Sequence, residues 1–241
     1  MRWAPPVDPR TFWNAKILGW ENSRYAAAAE PALFERIAGR ASASLRFRVQ
    51  AALSLLAPHL PGRPVVEIGC GSGLLADRLI GLGAASYTGY DIADTAIQRA
   101  RQRYHGSDEE AKIRFHRAAV AELPALGNAL IVSLGLFDWL SAAEIGHVFA
   151  IGGDGAYLHT LSERRGDWQQ LVHRLYVHFS YGRRTGSYVP RYHRLPEIVT
   201  MAKRHGAAPT HIHRDVRLSF GMFIGRLPPQ QACSPWTGDV G

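Results

Sequence analysis

A short apolar run followed by three alternating glycines constrains the fold of this chain more than any other part of its sequence. Residues 64–68 read Pro-Val-Val-Glu-Ile, and residues 69–73 read Gly-Cys-Gly-Ser-Gly. Apolar residues then recur at helical spacing over 74–82. Because glycines place no side chains in such a turn, its backbone amides stay open and a ligand can approach closely. The pattern predicts a strand, an open glycine turn and a helix.

Strand and helix signals alternate along the rest of the chain. Strands are predicted at 86–90, 113–116, 129–134 and 155–160. Helices are predicted at 10–29, 42–59, 74–82, 95–104 and 195–205. This alternation predicts an α/β fold with a mainly parallel sheet. Residues 211–227 alternate around Ser219-Phe220-Gly221 as in a hairpin, so we expect the sheet to finish antiparallel.

These patterns divide the chain into three parts. Residues 1–60 are expected to form a helical N-terminal cap or lid, because their first helical stretch is aromatic and amphipathic. Residues 61–227 hold the alternating strands and helices and form the expected core. Residues 228–241 lack periodicity and are expected to be a loose tail.

The composition excludes several classes of protein. With 46% hydrophobic and 20% charged residues, the chain is typical of a globular protein and unlike a disordered one. It has no apolar run long enough to span a membrane and no secretory signal pattern, so we expect a cytoplasmic protein that is not in a membrane. Its two cysteines, Cys70 and Cys233, cannot form a disulfide framework, a four-cysteine zinc site or an iron-sulfur site. No bound metal is expected.

Two carboxylates flank the glycine turn in the predicted sheet. Glu67 lies in the strand before the turn, and Asp91 ends the next strand. The carboxyl ends of neighbouring parallel strands meet at one edge of the sheet, where α/β proteins bind ligands. Two acids beside a glycine turn suit a ligand that carries an ammonium group and a ribose diol.

These residues resemble the class I S-adenosylmethionine-dependent methyltransferases. Residues 65–73 are similar to the first motif of that family, Tyr90-Asp91-Ile92 to its second, and residues 133–140 to its fourth-strand segment. The likeness extends over roughly 40–227. It implies a Rossmann-like sheet of seven strands with helices on both faces and an antiparallel last strand. It also implies S-adenosylmethionine as cofactor, with S-adenosylhomocysteine as product.

The resemblance further implies roles for single residues. The glycine turn would hold the methionine end of the cofactor, Glu67 would act near its amino group, and Asp91 would bind the ribose hydroxyls. The family often has an acid after the third strand, where this chain has Ala119, so backbone groups are expected to meet the adenine there. The implied cofactor-binding residues are Glu67, Gly69, Cys70, Gly71, Gly73, Asp91, Ile92, Ala119, Val120, Leu134 and Gly135.

The acceptor side of the site is expected after the fourth and fifth strands. Asp138 and His159 are the candidate catalytic residues there. The alternatives are a capping or ion-pairing role for Asp138 and a structural role for His159. Residues 176–193, rich in Tyr, His and Arg, form either a substrate loop or an exposed basic connection. The candidate substrate-binding residues are Trp13, Trp20, Tyr25, Trp139, His178, Tyr181, Arg183, Tyr188, Tyr192 and His193.

The expected reaction is methyl transfer to an oxygen or nitrogen of a small molecule, with anionic and glycosylated metabolites among the acceptors considered. The net charge of +8 comes from dispersed cations, which argues against a nucleic-acid track. Three alternatives stay open: an RNA or ribosome methyltransferase, a non-enzymatic cofactor-binding regulator, and an NAD(P)-binding oxidoreductase. Residues 71–76 formally satisfy the dinucleotide fingerprint, but a pyrophosphate would be repelled by Glu67 nearby. The oligomeric state is not predicted.

Overall fold

A seven-stranded sheet forms the centre of the computed structural model, which describes residues 7–25, 33–166, 170 and 188–228. The strands are β1 (Pro64–Ile68), β2 (Ser86–Asp91), β3 (Ile113–Arg117), β4 (Leu130–Ser133), β5 (Tyr157–Ser162), β6 (His211–Arg214) and β7 (Gly221–Arg226). The helices are α1 (Pro9–Tyr25), α2 (Leu33–Leu56), α3 (Ala76–Gly81), α4 (Asp94–Tyr104), α5 (Ala142–Gly152) and α6 (Leu195–Arg204). None of these helices is long and apolar enough to cross a membrane.

The strand order is β3-β2-β1-β4-β5-β7-β6. The first five strands are parallel, and β7 lies antiparallel between β5 and β6. The predicted α/β fold with an antiparallel terminal hairpin is therefore confirmed. Because the chain reverses its strand order on either side of β1 and β4, the carboxyl ends of β1, β2 and β4 surround a crevice of the kind that binds ligands in such folds.

Two apolar layers cover the two faces of the sheet. Alternate residues of β1 enter different layers: Val65 packs with Leu56 of α2 and Leu79 of α3, whereas Val66 packs with Phe149 of α5. Each fully buried side chain of this size contributes about 1.5–3 kcal/mol through the hydrophobic effect. Burial on both faces explains why β1 and β4 are nearly continuous apolar runs rather than alternating ones.

Several element boundaries differ from the prediction, among them the start of α3 after the glycine turn and the start of α2. Helix α3 begins at Ala76 and not at residue 74, because Gly71 and Gly73 have φ values of +53° and +74° that a right-handed helix does not contain. Helix α2 begins at Leu33, nine residues earlier than predicted. The predicted tail lies almost wholly outside the described residues, and the three-part division stays a prediction.

Candidate functional site

The glycine turn follows β1 at the carboxyl edge of the sheet and is hydrogen-bonded to the end of β2. The amides of Gly69 and Cys70 both donate to the carbonyl oxygen of Tyr90, at 2.7 and 3.0 Å. A Cβ added at Gly73 would lie 2.6 Å from the ring of Phe115, and one added at Gly71 would lie 2.1 Å from a side-chain oxygen of α1. Both positions also have positive φ, so only glycine fits them without strain.

Asp91 ties the end of β2 to this turn. Its Oδ2 accepts a hydrogen bond from the Gly71 amide at 2.9 Å, and its Oδ1 accepts one from the Ala93 amide at 2.8 Å. Burial raises the pKa of this carboxyl, against the lowering effect of the two amides. The structure therefore places Asp91 directly beside the turn, as the sequence predicted.

Glu67 lies behind the turn and is 4% exposed. Its Oε2 accepts a hydrogen bond of 2.5 Å from the hydroxyl of Tyr87. Burial raises the pKa of Glu67 to about 8, and the negative charges of Asp91 and Glu21 add to the rise. The charges that act on this carboxyl are all negative, so a cation bound nearby would favour its ionised form.

A third carboxylate reaches the turn from α1 and was not predicted. Glu21 is buried, and its Oε1 accepts a hydrogen bond of 2.8 Å from the Ser72 amide. It is the same oxygen that a Cβ at Gly71 would meet. No motif marks Glu21 in the sequence; the only signal was the amphipathic pattern of its helix. Glu21, Glu67 and Asp91 together bring three buried carboxyl groups to the turn.

Helix α1 crosses the carboxyl edge of the sheet next to these acids. Its Asn14 side chain accepts a hydrogen bond of 3.1 Å from the Thr95 amide at the start of α4. Ile17 packs on Ala93 and Ala96, in a small cluster that also contains Trp13. These contacts lay α1 over the ends of β1 and β2, the position that the predicted cap or lid requires.

Three predicted substrate-binding residues form one aromatic cluster with Phe12. The Trp13 Nε1 donates to the Tyr188 hydroxyl at 3.0 Å. The ring centres of Trp13 and Trp139 lie 4.8 Å apart, and those of Trp139 and Tyr188 lie 5.2 Å apart. The cluster joins α1 to the turn after β4 and provides an apolar wall beside the sheet edge.

The other predicted substrate-binding residues are not in this cluster. Tyr192 packs edge-on against Phe220 at 6.2 Å between ring centres. His193 Nε2 lies 2.9 Å from the Phe137 carbonyl oxygen, and its backbone pairs with the end of β5. Outside the described part of the chain lie the side chains of Trp20 and Tyr25 and the whole of His178, Tyr181 and Arg183.

Asp138 follows β4 in a short 3-10 turn and is 7% exposed. Both of its oxygens accept hydrogen bonds of 2.7 Å, one from the Ser162 amide and one from the Ser162 hydroxyl. It does not cap the following helix, because Ser141 caps α5 in a capping box with Glu144. The contacts of Asp138 connect the turn after β4 to the end of β5.

His159 lies inside the layer between the sheet and α5 and is 1% exposed. Its ring stacks on Phe137 and Tyr157, with ring centres 4.7 and 4.9 Å away, and its Nδ1 lies 2.9 Å from the Ser133 hydroxyl oxygen. Burial lowers the pKa of His159 to about 3, so the ring is neutral near pH 7. These surroundings favour the structural role that the sequence left open.

The remaining predicted cofactor residues contribute mainly backbone atoms to the carboxyl edge of the sheet. A Cβ at Gly69 would lie 3.2 Å from the Leu136 side chain, which follows Leu134 and Gly135. The Ala119 amide, just before Val120, donates to the Glu122 carboxylate at 2.7 Å. Cys70 is buried, and its sulfur lies 2.8 Å from a Cβ built on Gly89 of β2, so its thiol faces the core. Ile92 links Asp91 to Ala93 and is half-buried.

Arg48 of α2 lies at the same edge and was not among the predicted site residues. A Cβ added at Gly135 would lie 2.9 Å from its Nη1, and one added at Gly221 would lie 3.1 Å from its Nη2. Its charge lowers the pKa of Asp138, against the effect of burial. In the sequence Arg48 was one of several dispersed arginines, and nothing local distinguished it.

Comparison with known proteins places this site in context. Residues 65–151 match a family model described as a methyltransferase domain. The ubiquinone biosynthesis O-methyltransferase of Bordetella avium is 37% identical over 68 residues, 28% of this chain and 27% of the relative. Its namesake in Alkalilimnicola ehrlichii is 28% identical over 141 residues, 47% of this chain and 56% of the relative. The chain thus spans about half or less of the length of these relatives.

The crystal structure of magnesium protoporphyrin IX methyltransferase from Synechocystis, with S-adenosylhomocysteine bound, is similar over most of the chain. The TM-score is 0.71 at 16% identity, with 90% of this chain and 96% of that protein covered. At this identity the likeness concerns the fold. It confirms the Rossmann-like methyltransferase architecture with a mostly parallel seven-stranded sheet.

Proposed function

We propose that the chain is a class I S-adenosylmethionine-dependent methyltransferase, which transfers a methyl group from S-adenosylmethionine to an oxygen or nitrogen of a small molecule. The observation that carries this proposal is the convergence of Glu21, Glu67 and Asp91 on an open glycine turn. Buried carboxylates without a balancing cation destabilise a fold unless a ligand brings positive charge. The turn is therefore built for a cationic ligand.

The residues at the turn fit S-adenosylmethionine. The cofactor carries an ammonium and a sulfonium against one carboxylate, so its net charge opposes that of the acids. Each carboxylate oxygen of Asp91 accepts one hydrogen bond from a backbone amide. Each oxygen therefore keeps a lone pair that can accept a hydrogen bond from a ribose hydroxyl. Glu67 would favour the ammonium, and backbone around Ala119 and Val120 would meet the adenine. When bound, the cofactor supplies an electrophilic methyl group.

Methyl transfer requires mainly that the acceptor atom be held in line with the methyl group, so positioning supplies much of the rate. Here Trp13, Trp139 and Tyr188 would hold the acceptor and exclude water from above. We assign Asp138 and His159 to positioning rather than to proton transfer, because Ser162 occupies both oxygens of the former and stacked rings enclose the latter. The names of the curated relatives support an oxygen acceptor.

The experiment incubates the full chain with methyl-labelled S-adenosylmethionine and separate acceptor panels: phenols and catechols, small carboxylic acids, amines, and total tRNA. Calorimetry measures S-adenosylhomocysteine and NAD binding in parallel. We expect S-adenosylhomocysteine to bind, NAD not to bind, and label to enter a small molecule. Label in tRNA alone would replace the small-molecule acceptor by the RNA alternative. Binding of NAD without S-adenosylhomocysteine would overturn the proposal.

A further inference from the structure

Arg48 stands next to the part of the edge where the acceptor must lie. Its guanidinium is adjacent to Gly135, and the following residue, Leu136, packs on Gly69 of the glycine turn. The Gly135 amide donates to the Thr160 hydroxyl at 2.6 Å, which fixes the wall beside the arginine. Arg48 is thus separated from the cofactor turn by the width of one side chain.

One donor of the Arg48 guanidinium is buried and unpaired among the described residues. This donor is its Nε. None of the ion pairs between described residues includes it, and the nearby Asp138 directs both oxygens to Ser162. A buried donor without an acceptor destabilises a fold unless a ligand completes it.

Two glycines make room on either side of this guanidinium. Gly135 has a φ of +81°, which favours glycine in any case. Gly221 has no such constraint, but a Cβ there would lie 3.1 Å from Arg48 Nη2 and 3.0 Å from the Leu218 carbonyl oxygen. A larger residue at either position would press on the planar end of Arg48. Both Nη atoms of Arg48 therefore lie against the backbone of the two glycines, an approach that residues with side chains would obstruct.

We propose that Arg48 binds an oxyanion of the methyl acceptor, so that the acceptor is a carboxylate- or phosphate-bearing small molecule. This inference rests on the proposed function and adds to it the residue that selects the substrate class. The planar fork of an arginine matches a carboxylate or phosphate with two parallel hydrogen bonds. Arg191, which lies in the Tyr-, His- and Arg-rich segment 176–193, instead donates from Nη1 to the Leu140 carbonyl oxygen at 3.0 Å.

The test uses the full chain saturated with S-adenosylhomocysteine and three probes of similar size: benzoate, phenyl phosphate and the uncharged benzamide. Ligand-observed NMR titrations give each dissociation constant for the wild type, Arg48→Met, Arg48→Lys and Arg46→Met. Arg46 is the matched control, because it lies two residues away on α2 and faces a different side of the helix. Calorimetry with S-adenosylhomocysteine verifies the cofactor site of each protein.

We expect Arg48→Met to weaken oxyanion binding by about tenfold to a hundredfold, as for a lost charge-assisted pair, and Arg46→Met to leave it unchanged. Arg48→Lys keeps the charge but lacks the planar fork, so its affinity for the oxyanions should be intermediate. If Arg48→Met does not fold, Arg48→Lys is compared with the wild type instead. Benzamide should not distinguish the proteins. The stronger of benzoate and phenyl phosphate identifies the anion.

Two outcomes would overturn the inference and leave the proposed function standing. One is cofactor binding with equal oxyanion affinity in the wild type and the Arg48 variants. The other is cofactor binding by a wild type that takes up neither oxyanion. If the wild type does not bind S-adenosylhomocysteine at all, the proposed function itself fails.

Discussion

The two halves of the sheet edge differ in charge and in how far the protein satisfies their polar groups. In the half after β1 and β2, Asp91 accepts two backbone amides and Glu67 accepts the Tyr87 hydroxyl. In the half after β4 and β5, Arg48 keeps a buried Nε without a partner among the described residues. The carboxylates of the acidic half are hydrogen-bonded by the protein, whereas the basic half contains the unpaired donor to which we assign the acceptor.

This difference explains how one edge can hold two ligands in a fixed order. A cationic cofactor is drawn to the acids, and an anionic acceptor to the arginine, so each is disfavoured in the other's place. The α1 helix contacts both halves, through Glu21 at the glycine turn and Trp13 at the turn after β4. We therefore expect substitutions in the acidic half to alter cofactor binding and substitutions in the basic half to alter acceptor binding.

The largest expected effect is on the acidic half, from Gly71→Ala. The new Cβ would displace the Glu21 carboxylate from the Ser72 amide, and the alanine would have to keep a positive φ. We expect S-adenosylhomocysteine binding, measured by calorimetry, to become undetectable and the melting temperature to fall. The matched control is Gly81→Ala in α3, where a Cβ meets nothing within 4 Å. Equal cofactor affinity in the two variants would show that the turn does not bind the cofactor.

The second prediction concerns the acidic half and the pH dependence of stability that arises from Glu67. The pKa of Glu67 is raised from 4.5 to about 8, so the folded state holds a proton that the unfolded state loses first. The contribution of Glu67 to stability is thus fully present below pH 4.5 and declines as pH rises towards 8, by roughly 1 kcal/mol per pH unit. Urea unfolding between pH 5 and 8 should show a smaller decline for Glu67→Gln than for the wild type.

The exposed Glu197→Gln on α6 serves as the control for this pH series. It should keep the decline of the wild type, since its carboxyl is surrounded by water and faces Arg194. A Glu67→Gln variant whose stability falls with pH as steeply as the control would contradict an acid buried in its protonated form.

His159 tests whether the basic half contains a titrating base. Its pKa is lowered from 6.5 to about 3, so its stabilising effect is present above pH 6.5 and is lost as pH falls below that value. His159→Asn should lower the free energy of unfolding by about 1–3 kcal/mol, because Ser133 loses its buried partner. The pH profile of methyl transfer between 6 and 8 should keep its shape. If the wild-type rate fell towards pH 6 and the variant lost this fall, His159 would be restored as the general base.

The smallest expected effect concerns the aromatic cluster that joins the two halves. Tyr188→Phe removes the acceptor of the Trp13 Nε1 hydrogen bond and keeps the ring packing. Thermal unfolding should show a loss of about 0.5–1.5 kcal/mol, with cofactor affinity nearly unchanged. Trp139→Phe, which shrinks a packed ring of the same cluster, is the companion variant. A tenfold loss of cofactor affinity in Tyr188→Phe would mean that the cluster belongs to the cofactor half.

Local sequence pattern was sufficient to place Glu67 and Asp91 beside the glycine turn and insufficient to place Glu21 and Arg48 at the same edge of the sheet. Glu67 and Asp91 are placed by strands and a turn that are contiguous in sequence, so period and glycine spacing located them. Glu21 and Arg48 reach the edge only because α1 and α2 cross it at particular angles. These crossing angles depend on the whole tertiary structure, so the local pattern of a single sequence does not predict them.

His159 shows how a small error in a strand boundary changes a functional interpretation. The sequence predicted a strand over 155–160, which put His159 near the open end, but β5 extends over Tyr157–Ser162. His159 is therefore in the middle of the strand, and its side chain alternates into the α5 layer while its neighbour Thr160 contacts the Gly135 amide. Strand ends are the least determined part of a periodicity argument.

The most direct test of the acidic half as a cofactor site is a calorimetric titration of S-adenosylhomocysteine into three proteins at equal pH and salt. These are the wild type, Asp91→Ala, and Asp94→Ala as the control, whose carboxylate is half-exposed and pairs with Arg117 at the same strand end. We predict similar affinity for the wild type and Asp94→Ala, and about a hundredfold loss or more for Asp91→Ala, as two ribose hydrogen bonds to a charged group would give. Undiminished affinity in a folded Asp91→Ala protein would contradict the account.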